Sequence, residues 1–240
     1  MKAIIIDDER LARKELTSLL QTHSEIEIVA EATNADEALE LIDQHQPDLI
    51  FLDIQMPEKS GFDLLAELDR TPLVVFTTAY DQYAIKAFEV NAFDYLLKPI
   101  ETDRLARVVQ KLLDEHKKST IHAGEPQQKL SHTDQVFVKD GEKCWFVRLD
   151  KVRMFESDGN YIKVYFDSVR PMIHKSLNAL DEKLDPKAFF RASRKHIINL
   201  SWVEKIEPWF NGGLMVELKG GDKVEVSRRQ ASKFKERMSL

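Results

Sequence analysis

Residues 3–10 read AIIIDDER, an apolar run of strand length that ends on two adjacent acids, Asp7 and Asp8. Neighbouring carboxylates of like charge repel each other, so a buried strand that ends on both needs a chemical reason. Four more apolar runs follow in the first half of the chain: EIVA at 27–30, LIFL at 49–52, LVVF at 73–76 and FDYLL at 93–97. The opening stretch is therefore predicted to be the first of five strands.

Segments with helical periodicity follow the five apolar runs. They are ERLARKELTSLLQTH at 9–23, ADEALELIDQH at 35–45, FDLLAELD at 62–69, QYAIKAFEV at 82–90 and DRLARVVQKLLDEH at 103–116. Continuous apolar strands that alternate with amphipathic helices predict a parallel sheet covered on both faces. The first half is thus predicted to be an α/β doubly wound (βα)5 fold, whose ligands bind at the carboxyl ends of the strands.

The second half of the chain is predicted to be mostly β. Residues 117–133 are polar and lack periodicity, as in a linker. Beyond them, Lys-Asp-Gly-Glu at 139–142 and Asp-Gly-Asn at 158–160 interrupt β-rich runs and indicate hairpins. HKSLNALDEKL at 174–184 and the basic tail from 227 have helical patterns. We predict a first domain at 1–118, a linker at 119–133 and a second domain at 134–240.

Charge divides the chain in the same place. Residues 1–116 hold 11 Lys or Arg and 24 Asp or Glu, a net charge of −13, whereas residues 134–240 hold 21 and 16, a net of +5. The basic half is the one suited to nucleic acid, although two ordinary solvated surfaces also give such a difference. A single cysteine fits a reducing cytosol, and with no membrane-length apolar run or signal peptide we expect a cytoplasmic protein with no membrane partner.

Polar side chains end four of the five predicted strands. Asp7 and Asp8 end the first, Asp53 the third, Thr77 and Thr78 the fourth, and Lys98 the fifth. Because carboxyl ends of parallel strands share one edge, these groups are expected to converge there. A divalent cation that prefers oxygen ligands, such as Mg²⁺, would make the clustered carboxylates tolerable.

In this order and spacing, the residues of the first half resemble a response-regulator receiver domain. The shared features are the Asp7–Asp8 pair, Asp53, Pro57 and Gly61 in DIQMPEKSG, Thr78–Ala79, Tyr95 and Lys98–Pro99.

The resemblance implies that a sensor histidine kinase phosphorylates Asp53. It also implies that Asp8, Asp53 and the main-chain carbonyl of Gln55 hold Mg²⁺, with Asp7 acting through water. Lys98 and Thr78 would contact the phosphoryl oxygens, and Tyr95 would change rotamer with Thr78. Thr77 is expected to be strand or core, and the bond before Pro99 to be cis.

The resemblance further implies a homodimer that forms on phosphorylation. The surface involved would comprise the segment before the fifth strand, that strand and the helix after it. Its charged residues could pair across a two-fold axis, or simply be solvated; they are Lys86, Asp94, Arg104, Arg107 and Lys111.

The second half resembles a LytTR-type DNA-binding domain of the LytR/AlgR family. The matching stretches are FESDGNYIKV, HKSLNALDEKL, FFRASRKHIINLSWVEKI and VEVSRRQASKFKERM, with the departure that Ser193 stands where the family often has His. The resemblance implies that loops, rather than a recognition helix, bind promoter DNA. The expected contacts come from three loops, together with three phosphate-binding candidates: Asn160, Tyr161, Arg194, Lys195, Arg228, Arg229, and Lys163, His174 and Lys175. Arg194 and Arg228 are the predicted base readers.

We therefore predict a two-component response regulator that is phosphorylated, dimerises and binds promoter DNA to regulate transcription. Two alternatives belong to other classes. One is a magnesium-dependent phosphatase or phosphotransferase with Asp53 as nucleophile, although no additional acid, base or cap domain is evident. The other is an adaptor whose second half binds protein or RNA. Aromatic residues could stack on bases; Trp145 and Trp202 are expected to be core, and Trp209–Phe210 partly exposed.

Overall fold

Five parallel strands form the sheet of the first half, as the apolar runs predict. The computed structural model describes residues 1–79, 92–120 and 129–238. The strands have the order β2-β1-β3-β4-β5. They are β1 (Lys2–Ile6), β2 (Glu27–Ala32), β3 (Leu49–Asp53), β4 (Leu73–Thr78) and β5 (Asp94–Leu97). The predicted helix at 82–90, with Lys86, lies outside the described residues.

Four helices accompany this sheet in the described residues. They are α1 (Arg10–Leu20), α2 (Ala35–His45), α3 (Gly61–Glu67) and α4 (Thr102–Thr120). Apolar side chains of α1 and α4 pack on one sheet face around Phe51 and Val75. Since β3 is buried along its whole length, Asp53 is carried to the sheet edge on a rigid central strand.

The second half is mostly β, with antiparallel five-stranded and three-stranded sheets. The larger sheet has the order β10-β9-β8-β12-β11, and the smaller has the order β13-β14-β15. A separate pair consists of β6 (Gln135–Asp140) and β7 (Lys143–Arg148). The sheet strands are β8 (Val152–Asp158), β9 (Tyr161–Phe166), β10 (Met172–Ile173), β11 (Phe189–Arg191), β12 (His196–Asn199), β13 (Val203–Pro208), β14 (Leu214–Leu218) and β15 (Lys223–Val226).

Two α-helices complete the described part of this half, α5 (Leu177–Lys183) and α6 (Arg228–Met238). The core joins both sheets to α6 through residues such as Phe190, Val216 and Phe234. Packing divides the chain into two compact units, one built mainly on residues before 127 and one mainly on residues after it. Leu130, inside the predicted linker, already belongs to the second unit: its N–H donates to the carbonyl of Lys183 at 2.7 Å.

The stretch HIINLSWVEKIEPWF is strand-like in sequence, yet it supplies two strands to two different sheets. β12 ends at Asn199, and a 3-10 turn at Leu200–Trp202 precedes β13. The buried Asn199 side chain causes the break, because its Oδ1 accepts the N–H and hydroxyl of Ser201. Its Nδ2 donates to the carbonyls of Leu149 and Val152, so the amide is hydrogen-bonded at both ends.

In the described part of the chain, no helix is both long enough and apolar enough to cross a membrane.

Candidate functional site

Lys98 joins two acids at the carboxyl edge of the parallel sheet. Its Nζ lies 2.7 Å from Asp7 Oδ2 and 2.8 Å from Asp53 Oδ2. Asp7 follows β1, Asp53 ends β3 and Lys98 follows β5, so the topology brings together residues that are far apart in sequence. Both carboxylates are buried, and the Lys98 side chain retains only 14% of its exposure. The predicted convergence of these groups is confirmed.

Asp8 completes an oxygen-rich group with Asp7 and Asp53. One carboxylate oxygen from each of the three residues lies within 4.8 Å of the other two. Asp8 is exposed, whereas the other two acids are buried, so the group opens to solvent on one side. Hard oxygen donors of this kind, open to water, are what Mg²⁺ prefers. The residues present therefore fit Mg²⁺.

Burial and neighbouring charges shift the pKa values of Asp53 and Lys98. Burial raises the pKa of Asp53 above its ordinary value, and the nearby Asp7 charge adds to the rise, against the hydrogen bond and charge of Lys98. Burial by itself would lower the pKa of Lys98, but the hydrogen bonds to Asp53 and Asp7 raise it. Lys98 is therefore held as an ammonium shared between two carboxylates.

The loop after β3 holds the Asp53 carboxylate and backbone in place. The N–H of Gln55 donates to Asp53 Oδ1 at 3.1 Å, and the N–H of Gly61 donates to the Ile54 carbonyl at 2.9 Å. Gly61 starts α3 directly against β3, where a Cβ would lie 2.4 Å from the Asp53 carbonyl oxygen. Glycine is thus required by close approach of the backbone to the site.

Thr78 and Lys98 are joined through their backbones. The N–H of Lys98 donates to the Thr78 carbonyl at 2.7 Å, and the Thr78 side chain is buried. Thr77 is buried opposite Asp53 in the β3–β4 pairing, as expected for a strand residue. The Lys98–Pro99 bond is cis, which confirms that expectation.

Tyr95, the predicted switch residue, stands on β5 under a guanidinium. Arg104 lies 5.3 Å from the Tyr95 ring centroid and donates to the Tyr95 carbonyl at 3.0 Å. Arg104 also pairs with the buried Asp94, which pairs with Lys111 at 2.9 Å. Burial would raise the pKa of Asp94, but the hydrogen bond from Lys111, that from the Tyr95 N–H and the charges of Arg104 and Lys111 lower it. Three charges predicted to pair across a dimer axis thus pair within the chain.

The second unit has a basic cleft of about 580 Å³. The cleft is lined by Ser157, Gly159, Asn160, His174, Lys175, Ser176, Leu177, Asn178, Arg191 and Arg194. Four of the predicted DNA-binding residues are among these ten. None of the described lining residues is acidic, so the cleft suits an anion. The structure therefore brings together segments that the sequence separates, the turn before β9, the stretch before α5 and the turn before β12.

The β8–β9 hairpin carries three predicted contacts, Asn160 in its turn and Tyr161 and Lys163 on β9. Asn160 is exposed beside Gly159, whose φ of +60° favours glycine. Tyr161 is 45% exposed, and its ring meets that of His174 edge to face at 5.3 Å. Lys163 lies on β9, and its Nζ is 2.6 Å from Asp158 Oδ2. Asp158 therefore offsets part of the charge of Lys163.

The turn between β11 and β12 presents Arg194 and Lys195 to solvent. Ser193 shapes this turn: its Oγ accepts the Lys195 N–H at 3.2 Å and lies 3.3 Å from His196 Nδ1. The Ser157 N–H donates to the Lys195 carbonyl at 2.8 Å, which ties the turn to β8. The departure from the family's usual His thus leaves a serine that hydrogen-bonds within the turn.

Arg228 and Arg229 are exposed at the start of α6 and do not line the cleft. Arg228 packs beside the 3-10 turn at Phe210–Gly212, since a Cβ on Gly212 would lie 3.7 Å from Arg228 Cγ. Next to it, Trp209 is 40% and Phe210 74% exposed, and their rings meet at 4.8 Å. Exposure of this pair is as predicted. Trp145 and Trp202, both predicted to be core residues, are only partly buried, and the Trp202 indole N–H donates to the Asp150 carbonyl at 2.7 Å.

Sequence reasoning missed Arg191, which lines the cleft and hydrogen-bonds to both the Arg194 turn and the start of α5. Nothing local in FFRAS distinguishes it from an exposed arginine, because its partners are brought near only by the fold.

Comparison with known proteins gives matches in both halves. A family model described as response regulator receiver domain matches residues 3–110, and one described as LytTr DNA-binding domain matches residues 142–239. The sensory transduction protein LytT of Enterococcus faecalis is 36% identical, over 100% of both chains. An uncharacterized response regulatory protein of Vibrio cholerae is 42% identical, over 100% of this chain and 99% of its own. The transcriptional regulatory protein BtsR of Salmonella typhi is 36% identical, over 100% of both chains.

Proposed function

Because the chain belongs to the response regulators that join a receiver domain to a LytTR DNA-binding domain, we propose that a sensor histidine kinase phosphorylates it on Asp53 and that it then binds promoter DNA. The family is one of two-component regulators that act on DNA rather than of catalytic enzymes. In this proposal residues 1–118 receive the phosphoryl group, 119–133 link, and 134–240 bind DNA in the cytoplasm.

The observation that carries the proposal is the buried Asp53 carboxylate held 2.8 Å from Lys98 at the sheet edge. A carboxylate oxygen of Asp53 attacks the phosphorus of a phosphohistidine. The new bond joins that oxygen to phosphorus, while the bond to the imidazole nitrogen breaks and the imidazole leaves with its electron pair. Lys98 remains within reach of the transferred phosphoryl oxygens, whose charge it offsets.

Asp8, Asp53 and the Gln55 carbonyl would hold Mg²⁺, with Asp7 acting through water. When bound, the ion supplies positive charge that offsets the charge of the transferring phosphoryl group. The support from this chain is the oxygen group of Asp7, Asp8 and Asp53, within 4.8 Å of one another and open through Asp8.

A phosphoryl group on Asp53 would change the contacts of Lys98 and Thr78 together, since Thr78 accepts the Lys98 N–H. Tyr95, which directly follows Asp94 on β5, would change rotamer with Thr78. The added charge would thus favour one of two side-chain arrangements of Thr78 and Tyr95, which is a shift of populations.

DNA binding is proposed for the loops around the basic cleft and for the start of α6. Lys163, His174, Lys175 and Lys195 would contact phosphates, which position the protein without reading sequence. Arg194 and Arg228 would read guanine through bidentate bonds. Asn160, Tyr161 and Arg229 would add further contacts.

Dimerisation on phosphorylation is also proposed, through β5, α4 and the segment before β5. Asp94 is already paired with Arg104 and Lys111, so a symmetric contact here would need these charges to exchange partners. Arg107 is exposed on α4 and offers a charge for such a contact.

The experiment selects bound fragments from random double-stranded DNA, with and without acetyl phosphate and Mg²⁺. Wild type, Asp53→Asn and Arg194→Ala are compared, and intact mass reports phosphorylation. We expect acetyl phosphate to phosphorylate wild type but not Asp53→Asn. We also expect the selected DNA to share a motif of two half-sites, and phosphorylation to strengthen its binding. Phosphorylation of Asp53→Asn to the wild-type extent would remove Asp53 as acceptor. Absence of any enriched motif would remove the DNA-binding part.

A further inference from the structure

Arg191 ends β11 and connects two segments that line the basic cleft. Its Nε donates to the Ser193 carbonyl at 2.7 Å, and its Nη2 donates to the Arg194 carbonyl at 2.9 Å. Its Nη1 donates to the Leu177 carbonyl at 2.9 Å, and Nη2 also donates to Asn178 Oδ1 at 3.1 Å. One side chain thus fixes the Arg194 turn to the beginning of α5.

This set of contacts requires a guanidinium. Its donors form a rigid planar fork that reaches acceptors in several directions, whereas a lysine ammonium donates from a single point. The four hydrogen-bond acceptors are uncharged, so Arg191 is not the cation of a hydrogen-bonded ion pair. Burial lowers the pKa of Arg191, and the charge of Asp181 opposes that effect. Keeping such a cation half-buried is a cost that these four bonds offset.

One of the segments that Arg191 joins carries a predicted DNA contact, and the other adjoins two more. Arg194 lies in one, and the other follows directly on His174 and Lys175. Both line the same cleft. A hydrogen bond to guanine is directional, so an arginine reads a base only when its own backbone is held in register with the phosphate contacts.

We propose that Arg191 is a positioning residue for sequence readout: it holds the Arg194 turn in register with the His174–Lys175 segment, and thereby sets specificity without contacting a base. This inference rests on the proposed DNA-binding function. In this view Arg191, which is not itself a predicted DNA contact, controls how well Arg194 discriminates between DNA sequences.

Three variants separate a positioning role from effects of charge and of folding. Arg191→Met removes all donors, and Arg191→Lys keeps the charge but loses the fork. Asn178→Ala removes a single acceptor at an exposed position. Arg148→Met is the matched control, because it removes an exposed arginine of the same unit that lies outside the cleft. Thermal unfolding verifies that each variant folds.

The readouts are the ratio of affinities for selected and unrelated DNA, its salt dependence, and a double-mutant cycle with Arg194→Ala. We expect Arg191→Met and Arg191→Lys each to lower the affinity ratio about tenfold, the size of one lost base contact. In the Arg194→Ala background the same substitutions should lower the affinity ratio by less than about twofold, because they act through Arg194. Arg191→Lys should keep the wild-type salt slope, since no phosphate contact is lost.

Additive effects of Arg191→Met and Arg194→Ala would overturn the inference, as would full rescue of the affinity ratio by Arg191→Lys. If Arg191→Met does not fold, the test uses Arg191→Lys and Asn178→Ala. Asn178→Ala is then also expected to lower the affinity ratio. A wild-type ratio in both would also overturn it.

Amide hydrogen exchange of DNA-free protein distinguishes this failure from failure of the proposed function. Residues 193–195 should exchange faster in Arg191→Lys than in wild type or Arg148→Met, because two of their carbonyls lose a donor. If wild type selects no DNA motif, the proposed function fails and the specificity role with it, while faster exchange would still establish that Arg191 holds the turn. Unchanged exchange together with wild-type DNA selectivity would overturn the inference alone.

Discussion

A Cβ on Gly61 would lie 2.4 Å from the carbonyl oxygen of Asp53, closer than any ordinary contact. The start of α3 and the end of β3 therefore touch backbone to backbone directly below the proposed phosphoacceptor. Gly61→Ala should force these elements apart and lower the free energy of unfolding by about 1–3 kcal/mol, the usual cost of overpacking.

Chemical denaturation measures this change, and acetyl phosphate labelling should also slow as Asp53 shifts. Gly141→Asn is the control, because a Cβ there meets nothing within 4 Å and Asn tolerates the local φ of +58°. Equal effects of the two substitutions would contradict the close-approach argument.

The raised pKa of Asp53 predicts how stability changes with pH. A folded-state value above the ordinary 3.8 means that this carboxyl favours folding below pH 3.8, and that the contribution is lost as pH rises through the folded value. Asp53→Asn removes this pH-dependent loss of stability, while Lys98 keeps its ion pair with Asp7. The melting temperature of Asp53→Asn relative to wild type should therefore rise with pH from 3.8 upward. Asp8→Asn, at an exposed acid, controls for general charge; the same pH profile there would contradict the prediction.

Asp94 predicts the opposite pH dependence. Its lowered pKa means that it stabilises the fold above pH 3.8 and that this contribution is lost as pH falls through the folded value. At neutral pH Asp94→Asn should lower the free energy of unfolding by about 1–3 kcal/mol, because Arg104 and Lys111 lose a buried anionic partner. The difference from wild type should shrink in acid.

Urea denaturation across pH measures the Asp94 effect. Asp103→Asn, an exposed acid in the first turn of α4, should change stability by less than about 1 kcal/mol. A cost for Asp94→Asn that is independent of pH would show that the charge pairing contributes nothing.

Arg194 and Lys195 are adjacent, but their substitution by alanine should affect DNA binding in different ways. Arg194→Ala should cost about 1–3 kcal/mol for the selected DNA and relax its sequence at one position. Lys195→Ala should weaken all sequences alike and reduce the salt slope by about 1, as expected for a phosphate contact. Fluorescence anisotropy with selected and scrambled duplexes measures both. A uniform loss for Arg194→Ala would remove it as a base reader.

The sequence predicts much of this structure because its strongest signals are local. Apolar runs place β1 to β5 within a few residues, and the Lys-Asp-Gly-Glu and Asp-Gly-Asn turns are where the structure puts them, with Gly141 and Gly159 at positive φ. The acid–lysine convergence follows from topology alone, since parallel strands share a carboxyl edge.

What the sequence could not predict depends on contacts between distant residues. The break after Asn199 follows from an amide that bonds carbonyls about 50 residues away. The short strands β10 and β11 have too few residues for a periodic signal. Arg191 resembles any other arginine until its acceptors at Leu177 and Asn178 are brought beside it.

The turns around the basic cleft lie between strands, and their exposed side chains take no part in the ladders of the five-stranded sheet. Substitutions at Asn160, Arg194 or Lys195 therefore leave the core and Arg191's backbone acceptors intact. A library that varies only a few exposed positions, and leaves Arg191 unchanged, should therefore suffice to select variants that bind a new DNA sequence.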